Sequence, residues 1–180
     1  RILKVHNTQR TIQRFEDYRE AVKTRANSAA KRDARCAADG NELLRFHFAT
    51  LTCPLGARGS SSLCASVPGC GVCAIIRNGF QGSKISGVHT TASSGRAHNG
   101  IGVLATRRAM LVCRVIAGRV KRMGEEAAAG EDDVAAAPVA GSFDSVAGFT
   151  GIYSNLEDLY VFNSRAILSC FVVIYKALQC

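Results

Sequence analysis

No apolar stretch in these 180 residues is long enough to cross a bilayer. The longest strongly apolar run is Phe171 to Tyr175, with Ile167 and Leu168 just before it, against the roughly 20 residues a spanning helix needs. The chain is therefore read as soluble, without a membrane partner. Aromatic residues make up only 7% and tryptophan is absent, so the basic stretches have no aromatic-rich platform on which bases could stack. A complete phosphate loop is also missing, because Gly79-Phe-Gln-Gly-Ser-Lys84 lacks the four-residue gap between its glycines. Missing too is a second close pair of cysteines. Cys70-Gly-Val-Cys73 stands alone, whereas a strong zinc pattern has two such pairs.

What is present bounds the architecture. A hydrophobic content of 47% over this length supports one substantial core, and a single domain over residues 1–180 is expected. The chain opens on Arg1 rather than Met, so it is expected to be a segment of a longer protein. The net charge is +9, and most of the excess lies in the first 35 residues. There Arg1, Lys4, Arg10, Arg14, Arg19, Lys23, Arg25, Lys31, Arg32 and Arg35 face only Glu16, Asp17, Glu20 and Asp33. Such a flank attracts nucleic acid or other polyanions without sequence preference, although a solvated helix face has the same composition.

The cysteines stand at positions 36, 53, 64, 70, 73, 113, 170 and 180, without a regular spacing. Cys113 and Cys170 sit inside apolar runs and read as small core residues of a reducing compartment. For Cys53, Cys64, Cys70 and Cys73 three states remain open: reduced thiols, which the spacing favours, a zinc site, and a disulfide. No metal is assigned on the spacing alone.

Taken in order, Ile2 to His6 reads as a strand, and Asn7 or Thr8 caps a helix carrying Ile12, Phe15, Tyr18 and Val22 on one face. This lead-in spans 1–26. Residues 27–40 lack periodicity and read as an exposed connector. The core, 41–180, begins with a strand in which Leu44, Phe46 and Phe48 alternate with Leu43, Arg45, His47 and Ala49. A histidine held on a strand ahead of the Gly- and Ser-rich loop Gly56 to Ser62 is a candidate ligand-binding group; the plainer reading is a core histidine with its ring satisfied. A short helix after Pro68-Gly69 buries Val72, Ile75 and Ile76 and stops at Asn78-Gly79. Strands are expected at Gly87 to Thr91, Ala109 to Val120, Phe143 to Val146, Asp158 to Phe162 and Ile167 to Lys176, the last as a central, doubly covered strand. A mobile acidic Ala- and Gly-rich loop is expected over 121–141. Short strands outnumber helices, so the fold class is α+β on antiparallel sheets.

The order of these blocks resembles the catalytic domain of the poly(ADP-ribose) polymerase family of ADP-ribosyltransferases over nearly the whole chain. Leu44-Arg-Phe-His-Phe-Ala is similar to the strand that carries the family's His-Gly-Ser or His-Gly-Thr. Ile75-Ile-Arg-Asn-Gly-Phe80 is similar to its helix ending in Gly-Phe, and Gly87-Val-His-Thr-Thr-Ala-Ser-Ser to its Gly-Ile-Tyr-Phe-Ala block. Met110 to Gly118, Phe143-Asp-Ser-Val-Ala-Gly148 and Asp158-Leu-Tyr-Val-Phe-Asn163 through Lys176 follow its later strands. The wording Ala92-Ser-Ser-Gly-Arg-Ala97 points to a plant-type branch.

The resemblance implies an ADP-ribosyltransferase-like fold, antiparallel sheets in a split sandwich with a few flanking helices, and NAD as substrate. In the family the histidine binds the adenosine-side ribose, the next two residues hold the nicotinamide amide, a tyrosine stacks on the ring, and a glutamate stabilises the oxocarbenium-like transition state. Carried onto this chain, His47, Phe48, Ala49 and His89 take the cofactor-binding positions and Asp158 the catalytic one, with Glu157 its neighbour. Phe48 adds bulk, Ala49 lacks the hydroxyl, and Asp158 falls short of a glutamate by about 1.5 Å. Two functions follow from different classes. One is an NAD-dependent transferase of single ADP-ribose units; the other is a catalytically silent module that binds a protein partner or a nucleotide. The resemblance and the reduced-looking cysteines imply an intracellular setting, nucleus or cytoplasm.

Overall fold

The structure, a computed structural model, describes residues 1–29, 33–65, 67–82, 86–99, 107–122, 143–148 and 156–176. Strand β1 (Ile2–Lys4) leads to helix α1 (Gln9–Ser28). Thr8 caps that helix, its hydroxyl accepting the Thr11 amide at 3.1 Å. Of the expected apolar stripe, Phe15 and Val22 are buried while Ile12 and Tyr18 are half-buried. The guanidinium groups of Arg19 and Arg114 lie 5.3 and 5.0 Å from the Phe15 ring centre. Both arginines also pair with Glu42, Arg114 donating from Nε at 2.5 Å, so α1 is tied to the sheet by charge as well as by packing. Helix α1 is also held by Asp144, which accepts the Tyr18 hydroxyl at 3.1 Å and pairs with Arg25 at 2.5 Å. Burial, reinforced by Asp144, pushes the Tyr18 phenol well above its ordinary pKa.

Of the segment 27–40, expected as an exposed connector, most of the described residues are helical. Helix α1 runs on to Ser28, and a second helix, α2 (Ala34–Asp39), buries Cys36 and Ala37. Its signals were its ends rather than its period, which one and a half turns cannot display. The Asp33 carboxylate accepts the Cys36 amide at 3.0 Å. Gly40 closes the helix at φ 75°, where a Cβ would also come within 3.0 Å of Ile116.

Strand β2 (Glu42–Ala49) follows, then α3 (Gly71–Asn78), β3 (Val88–Thr91), α4 (Ser94–Asn99), β4 (Arg108–Ile116), β5 (Val120–Lys121), β6 (Ser145–Ala147), β7 (Asp158–Val161), a short 3-10 turn (Ser164–Ala166) and β8 (Ile167–Tyr175). Among the described residues the strands form one eight-stranded sheet in the order β1-β8-β4-β2-β3-β7-β6-β5, antiparallel except for the β5–β6 pair. The α+β class is as expected. The acidic loop expected over 121–141 lies, apart from Lys121 and Arg122, outside the described residues, as do residues 83–85 of the loop before β3. Helix α4 was not anticipated. Among the described residues no helix is long and apolar enough to cross a membrane.

Burial reverses the apparent polarity of β2. The alternation with Leu43, Arg45 and Ala49 turns toward the core, registered against Val115, Cys113 and Ala109 of β4, all three fully buried. The more apolar row is the outer one: Leu44 is 63% exposed and Phe46 and Phe48 are half-buried. Strand β8 is flanked by β1 and β4 as an interior strand, but it is covered on one side only beyond Ser169, with Phe171 outward.

The middle of the sheet is its narrowest seam. Strand β2 makes eight registered pairs with β4 but only Phe46↔Thr91 with β3. Arg45 closes the seam instead. Its buried guanidinium donates to the carbonyls of Thr90 at 3.2 Å and Glu157 at 2.9 Å, to the carbonyl of Leu156, and to the Thr90 hydroxyl at 3.4 Å. Replacing Arg45 with Met should therefore cost about 3 kcal/mol, read as a lower urea midpoint, since buried carbonyls lose a charged donor. Leu44→Lys, on the exposed side of the same strand, should change stability by less than about 0.5 kcal/mol.

Candidate functional site

His47 stands where β2 and β3 part. Its Nδ1 lies 2.8 Å from the His89 carbonyl. A carbonyl only accepts, so Nδ1 carries the proton and Nε2 of the neutral ring keeps its lone pair. The ring edge meets Phe80 just beyond α3, with centres 5.1 Å apart and planes at 87°. Burial lowers the His47 pKa from its ordinary value; the His89 carbonyl opposes that shift and the His89 ring adds to it.

The strand register brings the second and third expected positions beside the first. His89 on β3 is exposed, stacks at a tilt on Tyr160 at 4.9 Å, and donates from Nε2 to Asp158 Oδ1 at 2.8 Å. The other carboxylate oxygen of Asp158 accepts Arg96 of α4 at 2.7 Å. Partial burial would raise the Asp158 pKa, but the hydrogen bonds from His89 and Arg96 and their charges hold it below the usual carboxylate value. His89 thus links its neighbours, by its carbonyl to His47 and by its ring to Asp158. Glu157 is turned elsewhere: its Oε1 accepts the Ser93 amide at 3.1 Å and the Ser93 hydroxyl at 2.5 Å at the start of α4. Phe48 lies opposite Met110 on the half-buried outer row, and Ala49 is buried opposite Ala109.

Arg96, Phe80 and Arg45 escaped the sequence reading because their roles depend on which strands meet. For Arg96 a faint local signal existed in Ser93, whose hydroxyl accepts the Arg96 amide at 3.3 Å. Also unforeseen is a cleft of about 310 Å³ that shares Phe80 and is lined by Arg14, Arg77, Arg165, Asn7 and Gln81. Much of the basic flank is otherwise engaged within the fold, with Arg19, Lys23, Arg25 and Arg35 in ion pairs.

A second site lies below α3. Cys53, Cys64, Cys70 and Cys73 bring their sulfurs within 4.8 Å of one another, and this four-cysteine cluster could bind zinc. The spacing had argued against a metal because Cys53 and Cys64 are not a close pair; the fold supplies that proximity by laying the 50–65 segment against the start of α3. Burial raises the Cys53 and Cys73 thiols, whereas at Cys70 burial is overcome by backbone hydrogen bonds from Cys73 and Thr52, which hold it at about 6. The seven described cysteines, these four included, are free thiols.

A histidine whose folded pKa is depressed binds fewer protons than its unfolded counterpart below the ordinary value of 6.5. The His47 contribution to stability is therefore complete above about pH 6.5 and declines as the pH falls below it. Proton NMR should give a His47 midpoint below 6.5, and His47→Gln should flatten the decline in stability on acidification. Neither a scan against protein-family models nor a search of the curated proteins returns a match for this chain.

Proposed function

We propose that this chain is a degenerate ADP-ribosyltransferase-like domain that binds NAD or ADP-ribose at His47 and does not transfer ADP-ribose efficiently. The observation that carries the reading is the pinning of Asp158 between His89 at 2.8 Å and Arg96 at 2.7 Å. A carboxylate that stabilises a developing oxocarbenium ion must have an uncompensated negative charge facing the sugar. Here an arginine already neutralises it, and the side chain is shorter than a glutamate. Glu157 does not replace it, being held by Ser93.

Support for nucleotide binding is separate from support for turnover. The resemblance in sequence motifs, the adjacency of His47, His89 and Asp158, and a sheet narrowed to one residue pair at its centre all fit the split-sandwich family architecture. Nε2 of His47 offers an acceptor to a ribose hydroxyl, and the cleft beyond Phe80 offers arginines to phosphates. The setting in this reading is intracellular, nucleus or cytoplasm, with a protein partner as the output of ligand binding. The basic flank contributes at most sequence-independent attraction for nucleic acid.

Calorimetric titration with NAD, nicotinamide and ADP-ribose tests the proposal. Saturable binding of NAD or ADP-ribose is expected, weakened at least tenfold in His47→Ala, whereas Phe48→Gly, on the opposite face of β2 from His47, should leave it unchanged. Label transfer from NAD should be undetectable in the natural chain and should appear in the double variant Arg96→Gln, Asp158→Glu. No heat with any of the three ligands on folded protein would overturn the reading, as would efficient transfer by the natural chain.

A further inference from the structure

We propose that Cys53, Cys64, Cys70 and Cys73 form a closed, structural zinc site that staples the 50–65 segment to the start of helix α3. The inference stands independently of what occupies the His47 pocket.

The sulfur spacing carries it. A zinc ion with four bonds of about 2.3 Å to thiolates at tetrahedral angles separates the sulfurs by about 3.8 Å. Cys53 Sγ lies 3.5 Å from that of Cys70 and 3.7 Å from that of Cys73, and all four sulfurs fall within 4.8 Å of one another. A disulfide needs about 2.05 Å, so these sulfurs stand at ligand separation rather than bonding separation. Four protein ligands leave no position for water or substrate, which is the mark of a structural rather than a catalytic site. The softness of an all-thiolate set selects zinc over magnesium or calcium.

The surroundings answer the charge of such a centre. Four thiolates around one zinc ion leave a net negative charge on the cluster, each ligand having lost its proton to solvent on binding. Arg77 donates to the carbonyls of Cys64 and of Ala65, the latter at 2.9 Å, and Arg107 donates to the carbonyls of Cys53 at 2.8 Å and of Leu55. Two guanidinium groups thus rest on the backbone of two ligand residues. Three further bonds fix the loop beside the helix. The Thr50 hydroxyl donates to Gly69 at 2.6 Å and accepts the Gly71 amide at 3.0 Å, and the Thr52 hydroxyl donates to Pro68 at 3.2 Å. Cys70 is the residue before α3 and Cys73 lies in its first turn, so the ligands grip the helix start, and the helix leads directly to Phe80 against His47. The metal would hold the start of the helix whose far end carries Phe80 to the candidate pocket.

The experiment uses the whole chain purified under reducing, anaerobic conditions. Metal analysis should find one zinc per chain. After removal by chelator, titration with Co²⁺ should produce the sulfur-to-cobalt charge-transfer and visible bands of a tetrahedral tetrathiolate, saturating at one equivalent and abolished by zinc. Cys64→Ser, at the half-buried ligand, should lose those bands, Cys64→His should retain binding with shifted bands, and Cys36→Ala and Cys170→Ser should leave them unchanged. A chain that is folded by circular dichroism yet gives no stoichiometric cobalt spectrum would overturn the proposal. So would undiminished binding in Cys64→Ser combined with Cys70→Ser, or a mass corresponding to disulfides among the four residues under anaerobic isolation.

Discussion

The buried guanidinium of Arg45 is the constraint on which the rest of this structure depends. Between β2 and β3 the sheet has a single registered pair, and backbone groups at such a seam would go unpaired without a substitute. Arg45 supplies several donors from one rigid fork, to carbonyls on β3 and on the approach to β7. Burial works against its charge, and the nearby carboxylates of Glu157 and Asp158 work for it. Fixing the residues just before β7 in this way also fixes where Asp158 begins its strand.

A seam bridged by a side chain rather than closed by a ladder leaves room for His47 to lean across and meet the His89 carbonyl. The three candidate positions are then connected through His89, although they come from three strands far apart in sequence. In the proposed reading this arrangement favours holding a ligand over transferring one. A ring with a free lone pair can accept a hydroxyl hydrogen, whereas a carboxylate already bound by an arginine and a histidine has little negative field left to offer.

Charge is used inward across this molecule more than its +9 excess suggests. Glu42 collects Arg19 and Arg114, Asp144 collects Arg25 and the Tyr18 hydroxyl, and Asp158 collects Arg96. Arg77 and Arg107 are spent on the carbonyls around the cysteine cluster. Glu42, Asp144 and Asp158 each sit where two elements are joined. Because these pairs are partly buried, salt screens them less than it screens surface pairs.

Most of the strands, the capped first helix and the short helix stopped by Asn78-Gly79 were legible because local periodicity and end signals encode them within a few residues, whereas the strand expected over Ala109 to Val120 ends at Ile116 and β5 is separate. His47, His89 and Asp158 could be singled out from their places in ordered blocks, and the α+β class from the run of short strands. Helix α2 hid because it is too short for a period, and α4 because its start is marked only by Ser93. Which face of β2 is buried was decided by tertiary packing, since a charged residue can occupy a core when carbonyls from other segments converge on it. The same holds for the two sites. That Asp158 is pinned by Arg96, and that Cys53 and Cys64 join Cys70 and Cys73, are facts about distance in space, and spacing along the chain does not measure that distance until the loops between are folded.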